Sequence, residues 1–212
     1  MTPFRVLVAG TQQSGKTTLV EAWTGLRGTP YLQNTDRPFE SAARWGSLLV
    51  HVRDMPAVDR LNNQYPLSCE VRQRPPDLFI LMGNHMNNLL AVTLVELVLE
   101  TTVPILILLS KSDHFLQDLR NLPASRTALQ ERTAEARLRL CGLHPDVAAG
   151  FASRRLAIEN AMIENDRDVL VQEAERVSPG TTREIYTPVE IQAWVERQAD
   201  LVPHREQQAQ DA

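Results

Sequence analysis

The sequence predicts an α/β protein: a mostly parallel β-sheet with helices on both faces, followed by a C-terminal helical subdomain. Three observations support this fold class. The predicted strands alternate with helices, as in a parallel sheet. These strands are apolar along their whole length, which is typical of strands buried on both faces. With 212 residues and 43% hydrophobic content, the chain is large enough to bury a core.

The elements of the sheet follow in chain order. Residues 4–9 predict a strand, and residues 16–25 predict a helix that Gly25 ends. Residues 26–44 are polar and rich in turn residues, which predicts a mobile loop without regular structure. The next predicted strands are 47–53, 77–82 and 103–109, with a largely buried helix over 88–100. Their carboxyl ends fall on one rim, where ligands of parallel sheets bind.

The C-terminal part of the chain has a helical pattern. Apolar residues recur every three or four positions in 124–143 and 151–177, and we interpret them as packing faces rather than partner grooves. Thr187-Pro188-Val189-Glu190 is a capping box that predicts a helix to about Leu201. The predicted division is an α/β domain over 1–122, or to about 150, a helical region over 123–202, and a flexible tail over 203–212.

Composition narrows the classes of function. The 22 basic and 26 acidic residues give a net charge of −4, which indicates neither nucleic-acid binding nor a membrane-surface patch. Cys69 and Cys141 lack metal-ligand spacing, so reduced thiols are favoured over a disulfide or metal site. The N-terminus lacks a signal-peptide pattern, and the apolar region Leu78–Leu109 is too interrupted for a transmembrane helix. A cytoplasmic protein is expected.

The residues after the first strand match the phosphate-binding P-loop, G-x-x-x-x-G-K-[ST]. Glycines at both ends let the backbone N–H groups turn toward a phosphate, and the following helix adds its dipole. The predicted roles are contact of Lys16 with the β- and γ-phosphates and completion of a Mg²⁺ shell by Thr17, and these two are the predicted catalytic residues. The alternative is a chance match in a glycine turn. The predicted phosphate-binding residues are Gln13, Ser14, Gly15, Lys16, Thr17 and Thr18.

Two further motifs fall on the same rim. Asp54 ends the second strand, where an acid would hold Mg²⁺ together with Thr17; the alternative is a plain turn residue. After the last strand comes Ser110-Lys111-Ser112-Asp113, whose carboxylate can accept two hydrogen bonds from guanine while the Lys111 stem lies along the base. A helix-capping Ser/Asp pair is the alternative. GTP or GDP with Mg²⁺ is the predicted ligand set.

Together these motifs resemble the P-loop small GTPases, and most closely the cytosolic G domain of FeoB-type ferrous iron transport proteins. The resemblance implies a domain that binds GTP, hydrolyses it slowly, and gates iron uptake through an attached polytopic membrane domain. Such a partner or domain would place this chain at the inner face of the cell membrane. It covers most of the chain. The segments that carry it are 14–19, 24–26, Asp54-Met55-Pro56-Ala57, 75–77, Asn87-Asn88-Leu89, 93–97, Ser153–Ile158, 164–166 and 184–201.

The sequence departs from the family pattern at several points. Ala57 replaces a glycine, Gln12 and Gln13 put long side chains in the P-loop, and Ser110 replaces an asparagine that ties the guanine loop to the P-loop. The first-switch threonine could be Thr29 or Thr35, neither at the family's spacing. For the Ser-Ala loop that backs guanine, the available segment is Pro123-Ala124-Ser125, which lacks a preceding strand.

Two functions therefore stay open. One is a slow GTPase of FeoB type, with guanine nucleotide and a membrane transport domain or other protein as partners. The other is a pseudo-GTPase, which keeps the fold, holds nucleotide weakly and acts through protein contacts. An ATP-using kinase or ATPase is disfavoured by Lys111-x-Asp113 and by the lack of an arginine-rich lid. The oligomeric state is left open.

Overall fold

A computed structural model describes residues 3–26, 38–58, 67–112, 122–161, 163, 175–176 and 185–210. The helices are α1 Lys16–Thr24, α2 Leu67–Gln73, α3 Asn88–Glu100, α4 Leu122–Cys141, α5 Pro145–Ala152 and α6 Pro188–Gln210. The strands are β1 Phe4–Gly10, β2 Phe39–Trp45, β3 Leu48–Asp54, β4 Leu78–Gly83, β5 Ile105–Leu109, β6 Leu156–Ala161 and β7 Ile185–Tyr186.

The strands form one seven-stranded sheet in the order β2-β3-β1-β4-β5-β6-β7. All neighbouring strands are parallel except β2 and β3, which are antiparallel. Strands β4 and β5 are buried along their whole length, and β1 exposes only Arg5. The predicted α/β class with a mostly parallel sheet is confirmed.

Hydrophobic residues cover both faces of this sheet, because successive side chains of a strand point to opposite sides. On one face, residues such as Leu7, Phe79 and Ile107 pack with side chains of α2, α3, α4 and α5. On the other face, Val8 and Ile80 belong to a cluster that includes side chains of α1 and α6. The core therefore has two layers, and the loops at the strand ends remain at the rim.

The predicted loop over residues 26–44 is wrong at its C-terminal end, where Phe39–Trp45 forms β2. The segment alternates between buried and exposed side chains, and it buries Ala43 and Trp45. Gly46, with φ 58°, turns the chain back into β3, and Trp45 pairs with Leu48. Most residues of this edge strand are polar or small, so the sequence does not show the clear alternation of apolar and polar residues that marks a half-buried strand. Helix α2 was also missed.

The predicted helix over 151–177 is wrong at its start. Helix α5 ends at Ala152, and Leu156–Ala161 forms β6, which pairs in parallel with β5. Leu156 and Ile158 are two positions apart, which places them on one face of a strand, and both are buried on the sheet. Strand β6 thus lies beyond residue 122, in the same sheet; the domain division itself stays a prediction. Residues 164–174 and 177 lie outside the described part of the chain.

The last helix begins as predicted but continues further. Thr187 and Glu190 form the capping box: the Thr187 N–H donates to Glu190 Oε2 at 2.7 Å, and the Glu190 N–H donates to Thr187 Oγ1 at 3.3 Å. Helix α6 then runs to Gln210. The prediction that residues 203–212 form a flexible tail is therefore wrong for residues 203–210. The Glu, Gln, Arg and Ala residues of this helix have high helix propensity. Among the described residues, no helix has the length and apolarity needed to span a membrane.

Candidate nucleotide-binding site

The P-loop forms a tight turn between β1 and α1. Gly10 has φ +152°, and a Cβ there would lie 2.0 Å from the Met82 carbonyl oxygen, so no other residue fits. Gly15 is left-handed with φ 85° and precedes the first residue of α1. Gln13 is also left-handed, with φ 56°. The Thr11 N–H donates to the Met82 carbonyl at 3.0 Å, which holds the loop to β4.

Lys16 is buried at the N-terminus of α1, with only 8% of its surface exposed. Its Nζ donates to the carbonyl oxygens of Thr11 at 2.7 Å and Gly10 at 3.2 Å. The Ser14 hydroxyl also donates to the Thr11 carbonyl, at 2.8 Å. A buried ammonium beside helix N–H groups makes this corner electropositive, which suits a phosphate.

Asp54 lies beside Thr17, at the end of β3. Thr17 Oγ1 donates to Asp54 Oδ2 at 3.1 Å, while Asp54 Oδ1 is buried and has no hydrogen-bond partner among the described residues. Burial raises the pKa of the Asp54 carboxyl to about 6, with Lys16 and the Thr17 hydroxyl opposing that rise. An orphaned carboxylate oxygen next to a hydroxyl fits a Mg²⁺ ion, because this hard cation prefers oxygen ligands and often needs few from the protein. Thr17 and Asp54 are the residues that would hold it.

The loop after Asp54 is anchored to the P-loop strand. The Met55 N–H donates to the Val8 carbonyl at 2.9 Å, and the Val58 N–H donates to the Gly10 carbonyl at 3.0 Å. Ala57, which replaces the glycine of the family pattern, is buried. We call residues 10–18 and Asp54 the phosphate half of the site.

A cavity of about 270 Å³ lies between the P-loop and the loop after β5. It brings together most of the binding residues that the sequence predicts; Lys16 and Thr17 do not line it, and Asp113 lies outside the described residues. The cavity is lined by Gln13, Ser14, Gly15, Thr18, Ser110, Lys111 and Ile163.

Ser110 is tied to a different neighbour from the one that the family pattern uses. Its hydroxyl donates to Asn84 Oδ1 at 3.0 Å, and its N–H donates to the Gly83 carbonyl at 2.9 Å. Asn84 directly follows β4, so Ser110 links the ends of β5 and β4. Sequence reasoning missed Asn84, although its place after a buried strand on the binding rim was a usable signal.

The end of β6 supplies a further part of the site that the sequence analysis missed. Asn160 and Ala161 end this strand on the same rim, and Ile163 reaches the P-loop, where its Cβ would lie 3.5 Å from a Cβ added to Gly15. Ile163 lines the same cavity as Lys111, whereas Pro123–Ser125, the segment that the sequence offered for the loop behind the base, lies in α4. We call residues 110–112, Asn84, Asn160 and Ile163 the base half. Thr29 and Thr35, the first-switch candidates, lie outside the described residues.

No protein-family model matches the sequence, and no curated protein matches it. Among solved structures, Toc33 from Arabidopsis thaliana in complex with GDP and Mg²⁺ is similar, with TM-score 0.57 and 16% identity over 86% of this chain and 84% of that chain. A dimerization-deficient Toc33 mutant gives TM-score 0.56 and 15% identity over 85% of this chain and 86% of that chain. Toc33 with Mg²⁺ and GMPPNP gives TM-score 0.51 and 14% identity over 85% and 87%.

At these identities the likeness is one of fold. The sheet order, the P-loop between β1 and α1, and the alignment with Toc33 agree: the chain has the fold of a P-loop G domain. This confirms the P-loop fold expected from the sequence. The specific likeness to FeoB-type G domains is not part of that finding.

Proposed function

We propose that this protein binds GTP and GDP together with Mg²⁺ at the rim formed by the phosphate and base halves. The observation that carries the proposal is the phosphate half itself: Lys16 is buried, and Thr17 is hydrogen-bonded to Asp54, whose second oxygen has no partner in the described part of the chain. A P-loop with an unsatisfied acid beside its threonine is built for a nucleotide phosphate with a metal ion.

In the phosphate half, Lys16 neutralises the β- and γ-phosphates, and the first N–H groups of α1 orient them. Thr17 and Asp54 would hold the metal ion. A Mg²⁺ ion there would withdraw charge from the phosphate oxygens and so favour attack of water at the γ-phosphorus, with GDP as the leaving group. Asp54 must lose its proton to do this, and its raised pKa makes metal binding pH-dependent.

In the base half, Lys111 lines the cavity and offers its aliphatic stem as a platform for the base. Asp113 follows two residues later, and we assign it the pair of hydrogen bonds from the N1–H and N2–H₂ groups of guanine. Adenine offers no such donor pair, so this carboxylate accounts for guanine preference.

Hydrolysis of GTP is the reaction that this arrangement supports, and we propose that it is slow without an activating partner. Lys16 and Thr17 act by positioning and by electrostatic stabilisation, which lowers the barrier only in part. A FeoB-like role in iron transport is a finer proposal, carried by the motif resemblance alone. A cytoplasmic location near a membrane partner belongs to that same proposal.

A pseudo-GTPase is the second candidate, and two observations favour it. Lys16 already donates to two P-loop carbonyls, and Ile163 lies against Gly15 in the cavity. Nucleotide must replace those Lys16 bonds and share the cavity with Ile163. Weak binding without turnover would fit such a site.

Calorimetric titration with GDP, GMPPNP and ATP, each with and without Mg²⁺, tests the proposal. We expect Mg²⁺-dependent binding of both guanine nucleotides, and at least tenfold weaker binding of ATP, which is about one lost charged hydrogen bond. Asp113→Asn should shift preference from guanine to xanthine nucleotides. If no nucleotide binds, the proposed function is wrong. If guanine nucleotides bind but a separate assay of phosphate release finds no hydrolysis of GTP, the second candidate holds.

A further inference from the structure

Arg132 of α4 reaches the rim and contacts the ends of three neighbouring strands. Its Nη1 donates to Ser112 Oγ at 2.8 Å, after β5, and to Asn160 Oδ1 at 3.4 Å, in β6. Its Nη2 donates to the Ser110 carbonyl at 3.0 Å and to the Asn84 carbonyl after β4. One guanidinium therefore joins the parts of the base half that come from separate strands, which its planar fork of donors makes possible.

The two contacts after β5 flank Lys111. The backbone of this residue is in the left-handed region, with φ 57°. That conformation costs free energy for residues other than glycine. Such a conformation persists when the surrounding structure constrains it on both sides. Arg132 supplies that constraint, because it holds the carbonyl of Ser110 and the hydroxyl of Ser112, the residues on either side.

The acceptors of Arg132 are themselves buried and held. Ser110, Ser112 and Asn160 are at most 2% exposed. The Asn160 amide donates to the Leu129 carbonyl at 3.1 Å and to Thr133 Oγ1 at 2.8 Å, so β6 is attached to α4 around Arg132. Burial lowers the pKa of the Arg132 guanidinium, which remains charged. Hydrogen bonds from a buried charge are stronger than neutral ones.

We propose that Arg132 is a positioning residue for base recognition: it holds the Ser110–Ser112 turn, and with it Lys111, in the geometry that receives the base. The Ser110 hydroxyl bonds Asn84, so the same turn is also tied to the end of β4. The inference rests on the proposed function. It predicts that Arg132 affects the binding of a nucleotide through its base and leaves phosphate binding unchanged.

The test is titration of the full chain and its Arg132→Met variant with GDP, ADP and inorganic tripolyphosphate in the presence of Mg²⁺. We expect the variant to lose GDP affinity about tenfold or more, the size of a lost charged hydrogen bond, while tripolyphosphate affinity changes less than about twofold. The ratio of GDP to ADP affinity should fall by the same factor as GDP affinity. A role confined to stability would lower the affinities for all three ligands in parallel, and that result would overturn the proposal.

Arg139→Met is the matched control. Arg139 lies on the same helix and also donates to a backbone carbonyl, that of Met86, at 2.8 Å. It contacts Asn88 rather than the Ser110–Ser112 turn. We expect this variant to keep both GDP affinity and base discrimination; an equal loss in the control would also overturn the proposal. If Arg132→Met does not fold, Arg132→Lys is used, because it keeps the charge and loses the fork.

A nucleotide-free measurement separates this inference from the proposed function. Hydrogen exchange in a peptide covering Leu108–Ser112 should be about tenfold faster in Arg132→Lys than in the wild-type chain, and unchanged in Arg139→Met. Unchanged exchange in Arg132→Lys would overturn the inference. If the wild-type chain binds no guanine nucleotide, both the proposed function and the inference are wrong. If it binds and the Arg132 variants keep the wild-type preference for GDP over ADP, only the inference is wrong.

Discussion

The two halves of the candidate site are built in different ways. The phosphate half comes from one continuous stretch, residues 10–18, with a single addition, Asp54. The base half is assembled from the ends of β4, β5 and β6, which Arg132 of α4 joins. We infer that the first depends on local backbone geometry, whereas the second depends on tertiary contacts. Four predictions test this difference.

Gly10→Ala should have the largest effect, because it acts on the backbone of the phosphate half. Its Cβ would lie 2.0 Å from the Met82 carbonyl oxygen at φ +152°, so we expect a loss of about 4 kcal/mol in the free energy of unfolding. Gly25→Ala is the control: at φ +72° a Cβ on Gly25 would meet no atom of the described residues within 4 Å beyond its chain neighbours, so this variant should lose only about 1 kcal/mol. Denaturant unfolding followed by circular dichroism measures both. Equal losses would contradict the prediction.

Lys16→Ala should weaken GDP binding by about 100-fold or more, since it removes the buried charge that we propose contacts the phosphates. Lys111→Ala should cost about tenfold, because a base platform contributes mainly through packing. Titration of both variants with GDP and tripolyphosphate compares the halves. The affinity for tripolyphosphate should fall only in the Lys16 variant. A fall in both variants would contradict the proposed division into a phosphate half and a base half.

Asp54 should make the stability of the nucleotide-free chain depend on pH. Its pKa is about 6 in the folded chain against an ordinary value of 3.8, so between these values the folded state binds more protons than the unfolded state. The contribution of this group to the free energy of unfolding therefore rises as pH falls through about 6, by up to roughly 3 kcal/mol. Mg²⁺-dependent nucleotide binding should fall over the same range, because the metal needs the carboxylate.

The difference in free energy of unfolding between the wild-type chain and Asp54→Asn separates the contribution of Asp54 from that of the other carboxyl groups. Urea unfolding from about pH 4 to pH 7.5 should show a wild-type chain that loses stability relative to the variant as pH rises. Parallel curves would mean that Asp54 titrates near its ordinary pKa.

Ser110→Ala should have the smallest effect. It removes one neutral hydrogen bond to Asn84 in the base half, so we expect GDP affinity to fall about fivefold, or roughly 1 kcal/mol. Asn84→Ala removes the same bond from the other side, and the double variant should lose little more than either single variant. Fully additive losses would show that the two side chains act separately.

The elements of the fold that were predicted from short segments of the sequence are confirmed. The strand before the P-loop, the helix after it, the helix over Asn88–Glu100 and the end of β3 at Asp54 lie where the sequence placed them. Gly25 ends α1 in the left-handed conformation that its lack of a Cβ permits. Apolar runs and glycine turns act over a few residues, so one sequence suffices to read them. The roles of the site residues stay predictions.

Where two patterns were equally compatible with the residues, the prediction failed. Leu156–Ala161 has apolar residues that suit a helix or a strand, and the open edge of β5 selects the strand. Phe39–Trp45 needs β3 as a partner before its alternation has a meaning. Neither partner can be identified from the segment itself, because strand pairing is non-local.

By itself, the sequence determined the α/β class, the P-loop and the acid that ends β3, because each rests on the chemistry of neighbouring residues. Only the tertiary structure decided what gathers around the loop after β5: Arg132 contacts Asn84, Asn160 and the residues on either side of Lys111, and Ile163 lines the same cavity as Lys111. Their meeting depends on the order of strands in the sheet and on the packing of α4 across their ends, and those are properties of the folded chain as a whole.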